Sequence, residues 1–434
     1  MSLHRRAQNP WALFRIRDFR ILLMGQLMTG SLAPIIFVTQ ILWILDQAPD
    51  GWEILMVGAV GTLRGVGTIG FGLYAGALAD RFDRRRLLIV LQSSALFLAL
   101  ASAAVAEWLG GSALGIALFY LLTLGVSAVQ PADQATRNAV ASEVLGPSTQ
   151  RGLGALQLVW QLPALFTLLF SGPIISTLGF TGAFLLIGAI STVNALLLVP
   201  LRYRTQFDAT ARTAVRGFRR TAGRTLRDVR EGIRFARRDQ ILFWAIILLV
   251  VSQAATFPAV TFLAATWLTE VLDEPATSFG RIQWPWLLSG ALASLFLMGM
   301  PNLRRKTRAI AVGAVLFPVA VLVFALPQTL TAAFLANFGF GSSQSTTLVA
   351  TVSLVQERVP NEMRGRVMSL VQLNQGAAQL LTLPIAAIGQ FISLTVLLPA
   401  IGIGSLALIV AVLATHPTLW SATLASAPPP ADPE

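Results

Sequence analysis

The chain has 434 residues, of which 55% are hydrophobic and 12% charged, and its mean hydropathy is +0.70. A soluble domain carries roughly 25% charged residues, so this composition excludes a soluble protein and indicates a membrane protein. There is no Cys, which excludes disulfides and thiolate metal sites, and His4 and His416 stand alone near the ends, so we expect neither a metal nor a cofactor.

Apolar stretches follow one another along the whole chain. About 20 apolar residues cross the hydrocarbon layer as a helix, and the ~10-residue alternating segments typical of a membrane β-barrel do not occur in the sequence. We number the predicted spans 1 to 12 in chain order: 19–45, 54–79, 87–107, 113–131, 152–176, 181–200, 240–268, 279–300, 309–326, 329–353, 366–390 and 394–414. The sequence therefore predicts an all-α membrane protein with twelve transmembrane helices.

The basic residues predict which side of the membrane each turn faces. With a cytoplasmic start, 30 of the 32 Lys and Arg residues fall on the inner side, and the two exceptions are Arg64 and Arg281. Because short cytoplasmic loops carry an excess of Lys and Arg, we expect both termini in the cytoplasm and the protein in the cytoplasmic (inner) membrane. The net charge of +12 thus reports topology, and we expect no nucleic-acid partner.

The longest inner loop, 201–239, divides the spans six and six and holds twelve Arg against four acids. Near its end Leu226, Val229, Ile233 and Ala236 have the spacing of a surface helix with one apolar face, which predicts a helix lying on anionic lipid. Regulation or nucleic-acid binding is the weaker alternative. The predicted organisation is a cytoplasmic N-terminus (1–18), a first six-helix half (19–200), the linker (201–239), a second six-helix half (240–416) and a disordered cytoplasmic tail (417–434).

The two halves repeat each other. Three residues in or directly after span 1 recur with identical spacing at span 7: Pro34, Trp43 and Asp46 against Pro258, Trp267 and Glu270. The ends of spans 2 and 8 also align, so that Lys306 corresponds to Arg84 and Asn302 to Asp80. Parallel six-helix repeats are typical of secondary transporters, so we expect two pseudo-symmetric halves that alternate access to a central site.

The stretch GALADRFDRRRLL, which starts at Gly76, joins spans 2 and 3. It resembles the loop motif G-x-x-x-D-[RK]-x-G-[RK]-[RK] of the Major Facilitator Superfamily. The segments LFRIRDFRILLMGQ, DVREGIRFARRD and VQERVPNEMRGRVMSL are similar to those of its bacterial exporter branch, which includes enterobactin exporters and macrolide-efflux proteins. Two departures stand out: Asp83 occupies the position of the motif's Gly, and span 4 carries no Arg of the kind found in many proton-coupled drug antiporters.

The resemblance implies a conformational latch on the cytoplasmic side. In the resembling family the motif's acid sits at the N-terminus of helix 11, and one motif base pairs with an acid at the inner end of helix 4. We therefore expect Asp80 to contact the segment from Arg364 to Val367 and Asp133 to pair with Arg84. The predicted latch residues are Gly76, Asp80, Arg81, Arg84, Arg85, Asp133 and Arg364.

The resemblance also implies transport driven by a proton gradient. The one Lys, Lys306, follows Arg305, so the phosphate-binding loop G-x-x-x-x-G-K-[ST] of ATP-driven pumps does not occur, and we expect a transporter rather than an enzyme. The candidates for proton coupling are Asp46 and Glu270, which the repeat relates to each other. The alternative is that both are ordinary carboxylates at the outer membrane surface.

Arg64 is the one charge predicted to lie deep in the membrane, about 16 Å along span 2 from Glu53. We expect its guanidinium to contact an anionic or carbonyl-rich substrate, and the alternative is that it extends to the surface or donates to backbone carbonyls. In the resembling family helices 1, 4, 7 and 10 line the cavity. The further predicted substrate contacts are Gln26, Gln40, Tyr120, Gln253, Asn337 and Gln344, for each of which an interhelical hydrogen bond is the alternative role.

Taken together, these patterns predict a monomeric secondary transporter that exports a small organic compound, drug-like or siderophore-like. Uncharged polar lining would suit such a compound, because specificity then comes from shape and a few hydrogen bonds. Two alternatives remain at this point: an importer on the same fold, and a transport-inactive membrane scaffold or sensor.

Overall fold

The computed structural model describes residues 10–203, 227, 229–298, 306–417 and 419. Most of the predicted N-terminus and tail, and linker residues 204–226 and 228, lie outside the described residues. The chain divides into two compact units, Met1–Gly223 with Glu274–Trp284, and Arg224–Asp273 with Pro285–Glu434. All regular structure in the described residues is helical, and every predicted span has a helical counterpart, so the predicted twelve-helix, all-α fold is confirmed.

The first unit begins with a short 3₁₀ turn, Pro10–Arg15, and continues in five long helices. They are α1 (Arg17–Gln47), α2 (Glu53–Arg81), α3 (Arg84–Trp108), α4 (Ala113–Leu145) and α5 (Thr149–Leu198). Side chains cap two of the N-termini: Ser112 accepts from the Gly115 N–H, and Asp83 accepts from the Arg86 N–H. Such caps satisfy backbone donors that a helix leaves free at its start.

Helix α5 contains spans 5 and 6, which a break at Gly179 separates. Gly179 has φ +67° and ψ 178°, a backbone conformation that residues with a side chain rarely adopt. A Cβ at Gly30 of α1 would overlap the Trp160 carbonyl, and Asn194 donates to Thr29 of the same helix. Since Trp160 and Asn194 lie on opposite sides of the break and both reach the same part of α1, the two segments run side by side.

The helices of the second unit are more interrupted. Span 7 consists of α6 (Gln240–Ala254), α7 (Thr256–Thr261) and α8 (Ala264–Leu272), followed by α9 (Phe279–Met298), α10 (Lys306–Ala325) and α11 (Leu330–Arg358). Span 11 is split into α12 (Asn361–Leu380) and α13 (Thr382–Gly389), and α14 (Leu394–Thr415) follows. Pro258 is the third residue of α7 and Pro384 is the third residue of α13. Neither proline has an N–H to continue the hydrogen-bond ladder, which accounts for an interruption in span 7 and for the one in span 11.

Eight of the described helical segments are long and apolar enough to cross a membrane. Each unit has one end rich in basic residues, which we call its basic end. In the first unit α1 and α3 begin there and α2 and α4 end there; in the second unit α6 and α10 begin there and α11 ends there. Phe19, Leu22 and Leu88 pack with Val140 and Leu145 in a buried cluster at the basic end of the first unit.

Span 4 is longer than predicted. The prediction ended it at residue 131, but α4 continues through Pro131 to Leu145. The additional residues include Asp133, Arg137 and Glu143, whose charges made this stretch look like a cytoplasmic turn. The extension changes which residues meet inside the first unit.

Candidate functional site: a polar cavity in the first unit

Arg64 lies on α2, where its guanidinium reaches α1. Its Nη1 donates to the Gln40 Oε1 at 2.7 Å, and its Cζ lies 5.3 Å from the centroid of the Phe37 ring. Gln40 in turn donates to the Thr123 Oγ1 of α4 at 3.3 Å. Within the described residues Arg64 makes no ion pair, so its positive charge is held by an amide oxygen and an aromatic face rather than by a carboxylate.

Arg64 and Gln40 form part of the wall of a small cavity inside the first unit, with a volume of about 70 Å³. Its polar lining comes from α1, α2, α3 and α4: Thr29, Gln40, Arg64, Gln92, Ser102, Ser127, Gln130 and Asp133. A volume of this size holds a few water molecules, whereas a drug-sized ligand needs roughly 300–1,000 Å³. In this conformation the cavity can therefore accommodate water or one small polar group of a larger molecule.

A buried ion pair borders the same cavity. Asp133 and Arg137 lie four residues apart on α4, their Oδ2 and Nε atoms are 2.7 Å apart, and both side chains are almost fully buried. Gln92 of α3 donates to the Asp133 Oδ1 at 3.0 Å, and Arg137 donates to the Asn194 Oδ1 of α5 at 3.3 Å. Of the described charged residues, only these two are buried, which marks the pair as the main candidate for a functional charge centre.

A glycine on α1 makes room for the guanidinium. A Cβ at Gly25 would overlap the Arg137 Nη1, an atom that has no hydrogen-bond partner in the described structure. Next to it, Gln26 donates to Gln134 at 3.2 Å, and Gln134 donates to Asn138 at 3.1 Å. Polar contacts thus connect α1, α3, α4 and α5 around Asp133 and Arg137.

The structure contradicts the predicted pairing of Asp133 with Arg84. Asp133 lies twelve residues before the end of α4, about 18 Å along the helix, and is paired with Arg137 instead. Arg84 pairs with Glu143, near the true end of α4, and Glu143 also accepts from the Tyr203 hydroxyl. The predicted kind of contact, between a base of the motif and an acid at the end of helix 4, is therefore present with a different acid.

Sequence reasoning missed Arg137. The signal was present as D-x-x-x-R in PADQATRNAV, the spacing at which an acid and a base are neighbours on one helix face. The sequence analysis noted that span 4 carries no Arg. This is wrong for the full length of α4, because Arg137 lies on the part of the helix beyond residue 131.

The second unit repeats the ion pair at its basic end. Lys306, at the start of α10, pairs with Glu357, near the end of α11. The internal repeat aligns Lys306 with Arg84, and Glu357 occupies the place of Glu143. A neighbouring pair joins Asp239, which caps α6, to Arg358 at 2.8 Å. At the basic end of each unit, ion pairs thus connect the start of one helix to the end of another.

The remaining latch residues are only partly described. Gly76, Asp80 and Arg81 belong to α2, but their side-chain surroundings lie outside the described residues. Arg85 donates to the Val199 carbonyl at 2.5 Å, and Arg364 donates to the Gln356 carbonyl at 3.0 Å, near the end of α11. Asp83 has φ −57°, so this turn needs no glycine, and its carboxylate caps α3.

The other predicted substrate contacts make hydrogen bonds inside their own units. Tyr120 donates to the Met56 carbonyl, Gln253 accepts from Asn374, and Gln344 accepts from the Trp286 indole at 2.9 Å. Asn337 is buried and donates to the Ala333 carbonyl on its own helix, while its Oδ1 has no described partner. These bonds agree with the packing role that was the alternative for each residue.

The two predicted coupling carboxylates lie at exposed helix ends. Asp46 is exposed near the end of α1 and accepts from the neighbouring Gln47 amide at 2.7 Å. Glu270 is likewise exposed near the end of α8. Neither has the buried surroundings of Asp133, which lies next to the polar cavity.

Comparisons with known proteins give the chain a family and a fold. A sequence model of the Major Facilitator Superfamily matches residues 21–383. A search of curated protein sequences gave no match.

Among solved structures the chain is similar to the nucleoside transporter NupG, with 12% identity, a TM-score of 0.69 and coverage of 92% of this chain and 99% of that one. It is similar also to a bacterial homolog of the human lysosomal transporter Spinster in an inward-facing, unoccupied conformation (13%, TM-score 0.69, 96% and 99%). A third is a POT family transporter in complex with 5-aminolevulinic acid (11%, TM-score 0.69, 93% and 96%). At such identities these likenesses establish the fold alone.

Proposed function

Because this chain belongs to the Major Facilitator Superfamily and is a multi-pass membrane transporter, we propose that it exports a small organic compound across the cytoplasmic membrane. The proposed transport is secondary, driven by protons, and proceeds by alternating access with both termini in the cytoplasm. The exported compound is drug-like or siderophore-like and carries a carboxylate or a dense set of carbonyl oxygens. The proposed partners are this substrate, protons, and anionic lipid at linker 201–239, and a monomer suffices for the cycle.

The observation that carries the substrate class is the state of Arg64. Its guanidinium lies on the wall of a polar cavity, and Gln40 is its polar partner there rather than a carboxylate. A guanidinium that donates to one amide oxygen has further N–H groups that can donate to a second acceptor. Their planar, forked arrangement matches the two oxygens of a carboxylate. A substrate carboxylate would supply the negative charge that no described residue supplies.

Asp133 is the carboxylate that we propose for proton coupling, ahead of Asp46 and Glu270. A proton on Asp133 would remove the negative partner of a buried guanidinium, and an unpaired buried charge is strongly unfavourable. The bundle around Arg137 would then have to rearrange, or an anionic substrate would have to take the place of the lost charge. Either response links protonation to a change in the cavity that Asp133 borders.

The test of this function is the accumulation of labelled organic acids in cells with and without the protein, each with and without a protonophore. Export predicts lower accumulation with the protein, and loss of that difference on adding the protonophore. An importer would raise accumulation instead. A transport-inactive scaffold would leave accumulation unchanged.

Variants at Arg64 test the proposed substrate contact. Arg64→Ala should reduce export about tenfold or more, because a hydrogen bond to a charged group contributes roughly 1.5–3 kcal/mol, and Arg64→Lys should keep part of it. Arg281→Ala is the matched control, since Arg281 is the other Arg outside the predicted cytoplasmic side and is exposed. Normal export by Arg64→Leu would show that this guanidinium does not hold the substrate.

A further inference from the structure

The last part of the linker forms a helix that is attached to the second unit by one face. Residues 229–236 are helical, and Ala236 is buried in a cluster with Val355 and Val367, against which Phe235 packs. A Cβ at Gly232 would lie 2.8 Å from the Arg366 carbonyl of α12, so the two backbones are close. We call residues 229–236 the linker helix.

Ion pairs fix the attached face further. Glu231 accepts from Arg366 at 2.6 Å and from Arg227 at 3.1 Å. Three residues beyond the helix, Asp239 caps α6 and pairs with Arg358. The helix is thus held at the start of α12 and at the start of α6.

The opposite face of the linker helix is basic and free of acids. Four of its residues, Val229, Arg230, Ile233 and Arg234, border one shallow depression on the surface together with Arg237 of the following turn. The three Arg side chains are exposed and make no ion pair within the described residues, and Ile233 is 38% exposed between them. The sequence pattern had assigned Ala236 to the apolar lipid-facing side, but Ala236 is buried in the protein.

The position of this face along the chain indicates what it meets. Three residues, 237–239, separate the linker helix from α6. The segment Gln240–Thr261, which begins with α6, is long and apolar enough to cross a membrane. A helix so close to a membrane entry lies at the membrane surface, where aliphatic side chains insert between headgroups and arginines meet phosphates. Among the described residues, no carboxylate pairs with these three arginines.

We propose that Arg230, Arg234 and Arg237, with Val229 and Ile233 between them, form a binding site for anionic phospholipid headgroups. The phosphates contact the guanidinium groups, and the two aliphatic side chains enter the acyl boundary beside them. Because the other face of the same helix is attached to α12 through Gly232 and Glu231, a bound headgroup also holds the linker helix against the start of α12. This proposal rests on the anionic-lipid partner proposed above for linker 201–239 and assigns it to particular residues, and it does not depend on the identity of the transported compound.

The test uses a nitroxide label on Ile233→Cys in the full chain, which has no other Cys. The protein is reconstituted in vesicles of phosphatidylcholine alone or mixed with phosphatidylglycerol, and the accessibility of the label to a water-soluble nickel complex is measured. We expect accessibility to fall as the phosphatidylglycerol fraction rises, and high salt to weaken this effect. Equal accessibility in both kinds of vesicle would overturn the proposal.

Two triple variants make the test specific. Arg230→Gln, Arg234→Gln and Arg237→Gln together should lower the apparent affinity for phosphatidylglycerol about a hundredfold, since each Arg near an anionic surface contributes about a factor of five. Arg15→Gln, Arg17→Gln and Arg20→Gln remove the same charge from exposed positions of the first unit and should leave the response unchanged. An equal loss in both triples would show that net charge alone is responsible.

A full response to inorganic phosphate in phosphatidylcholine vesicles would show that the site binds the free anion rather than lipid.

Discussion

A charged side chain inside a helix bundle needs a partner, and Asp133 and Arg137 are partners of each other. The price of desolvating both charges is large, and the Coulomb attraction of the pair offsets it only when further hydrogen bonds satisfy the remaining polar atoms. Gln92 and Asn194 supply two such bonds, while the Arg137 Nη1 remains without a described partner. An incompletely satisfied pair of this kind is costly, which is why we attribute a function to it.

Single and double variants separate stability from function at this pair. Arg137→Met should reduce stability by about 3–5 kcal/mol, because it leaves the Asp133 carboxylate buried and uncompensated. The double variant Asp133→Leu with Arg137→Met should recover most of this loss, because it removes both charges together. Thermal unfolding of the purified protein in detergent measures both effects.

Export by the double variant shows whether the pair couples protons. We expect a folded protein without protonophore-sensitive export. If the folded double variant exports like the unchanged protein, Asp133 has only a structural role, and Asp46 or Glu270 becomes the stronger candidate for coupling.

At the scale of elements, small residues set the spacing of the helices in the first unit. A Cβ at Gly30 of α1 would overlap the backbone carbonyl of Trp160 and lie 3.0 Å from Pro163 on α5. A backbone carbonyl cannot turn away as a side chain end can, so α1 and α5 would have to separate. Close backbone approach at small residues is common between membrane helices, where it increases the packing contacts that hold them together.

Gly30→Ala should therefore lower the stability of the protein by about 1–3 kcal/mol, the usual cost of overpacking. Gly70→Ala is the matched control, since Gly70 also lies within a long helix but a Cβ there would meet no atom within 4 Å. The control should be neutral or more stable by up to about 1 kcal/mol, because Ala favours helix over Gly. Equal unfolding temperatures for the two variants would contradict the proposed close packing of α1 on α5.

The number of membrane spans could be predicted from hydropathy, but the length of α4 could not. Hydropathy ends a span where charges begin, whereas α4 continues because Asp133 and Arg137 neutralise each other across one helical turn. A pattern of single residues does not show that Gln92 and Asn194 from two other helices complete the site. The family resemblance predicted that Arg84 pairs with an acid at the end of helix 4. Identifying that acid as Glu143 required knowing where α4 ends.

At the scale of the whole molecule, alternating access requires that contacts at the cytoplasmic side form in one state and break in the other. The repeat provides equivalent ion pairs within the units, Arg84 with Glu143 and Lys306 with Glu357. Asp80 differs from its repeat counterpart Asn302, because only Asp80 carries a charge. The loop motif and its repeat counterpart in the second half therefore differ in charge at this position, for which the family resemblance implies a contact between the halves.

We expect Asp80→Asn to shift the population toward the inward-open state, because a carboxylate at a helix N-terminus contributes about 0.3–1 kcal/mol and more when partly buried, whereas the neutral amide contributes less. Since the chain has no Cys, spin labels on Arg20→Cys and Gln240→Cys, exposed positions at the basic ends of the two units, report the distance between the halves without background. The shift should be about two- to fivefold in the ratio of the two states. Asp83→Asn is the control, since Asp83 caps α3 within the same loop. An unchanged distance distribution in Asp80→Asn, or the same change in Asp83→Asn, would show that Asp80 is not the latch and that this motif acts only through the positive charge that fixes topology.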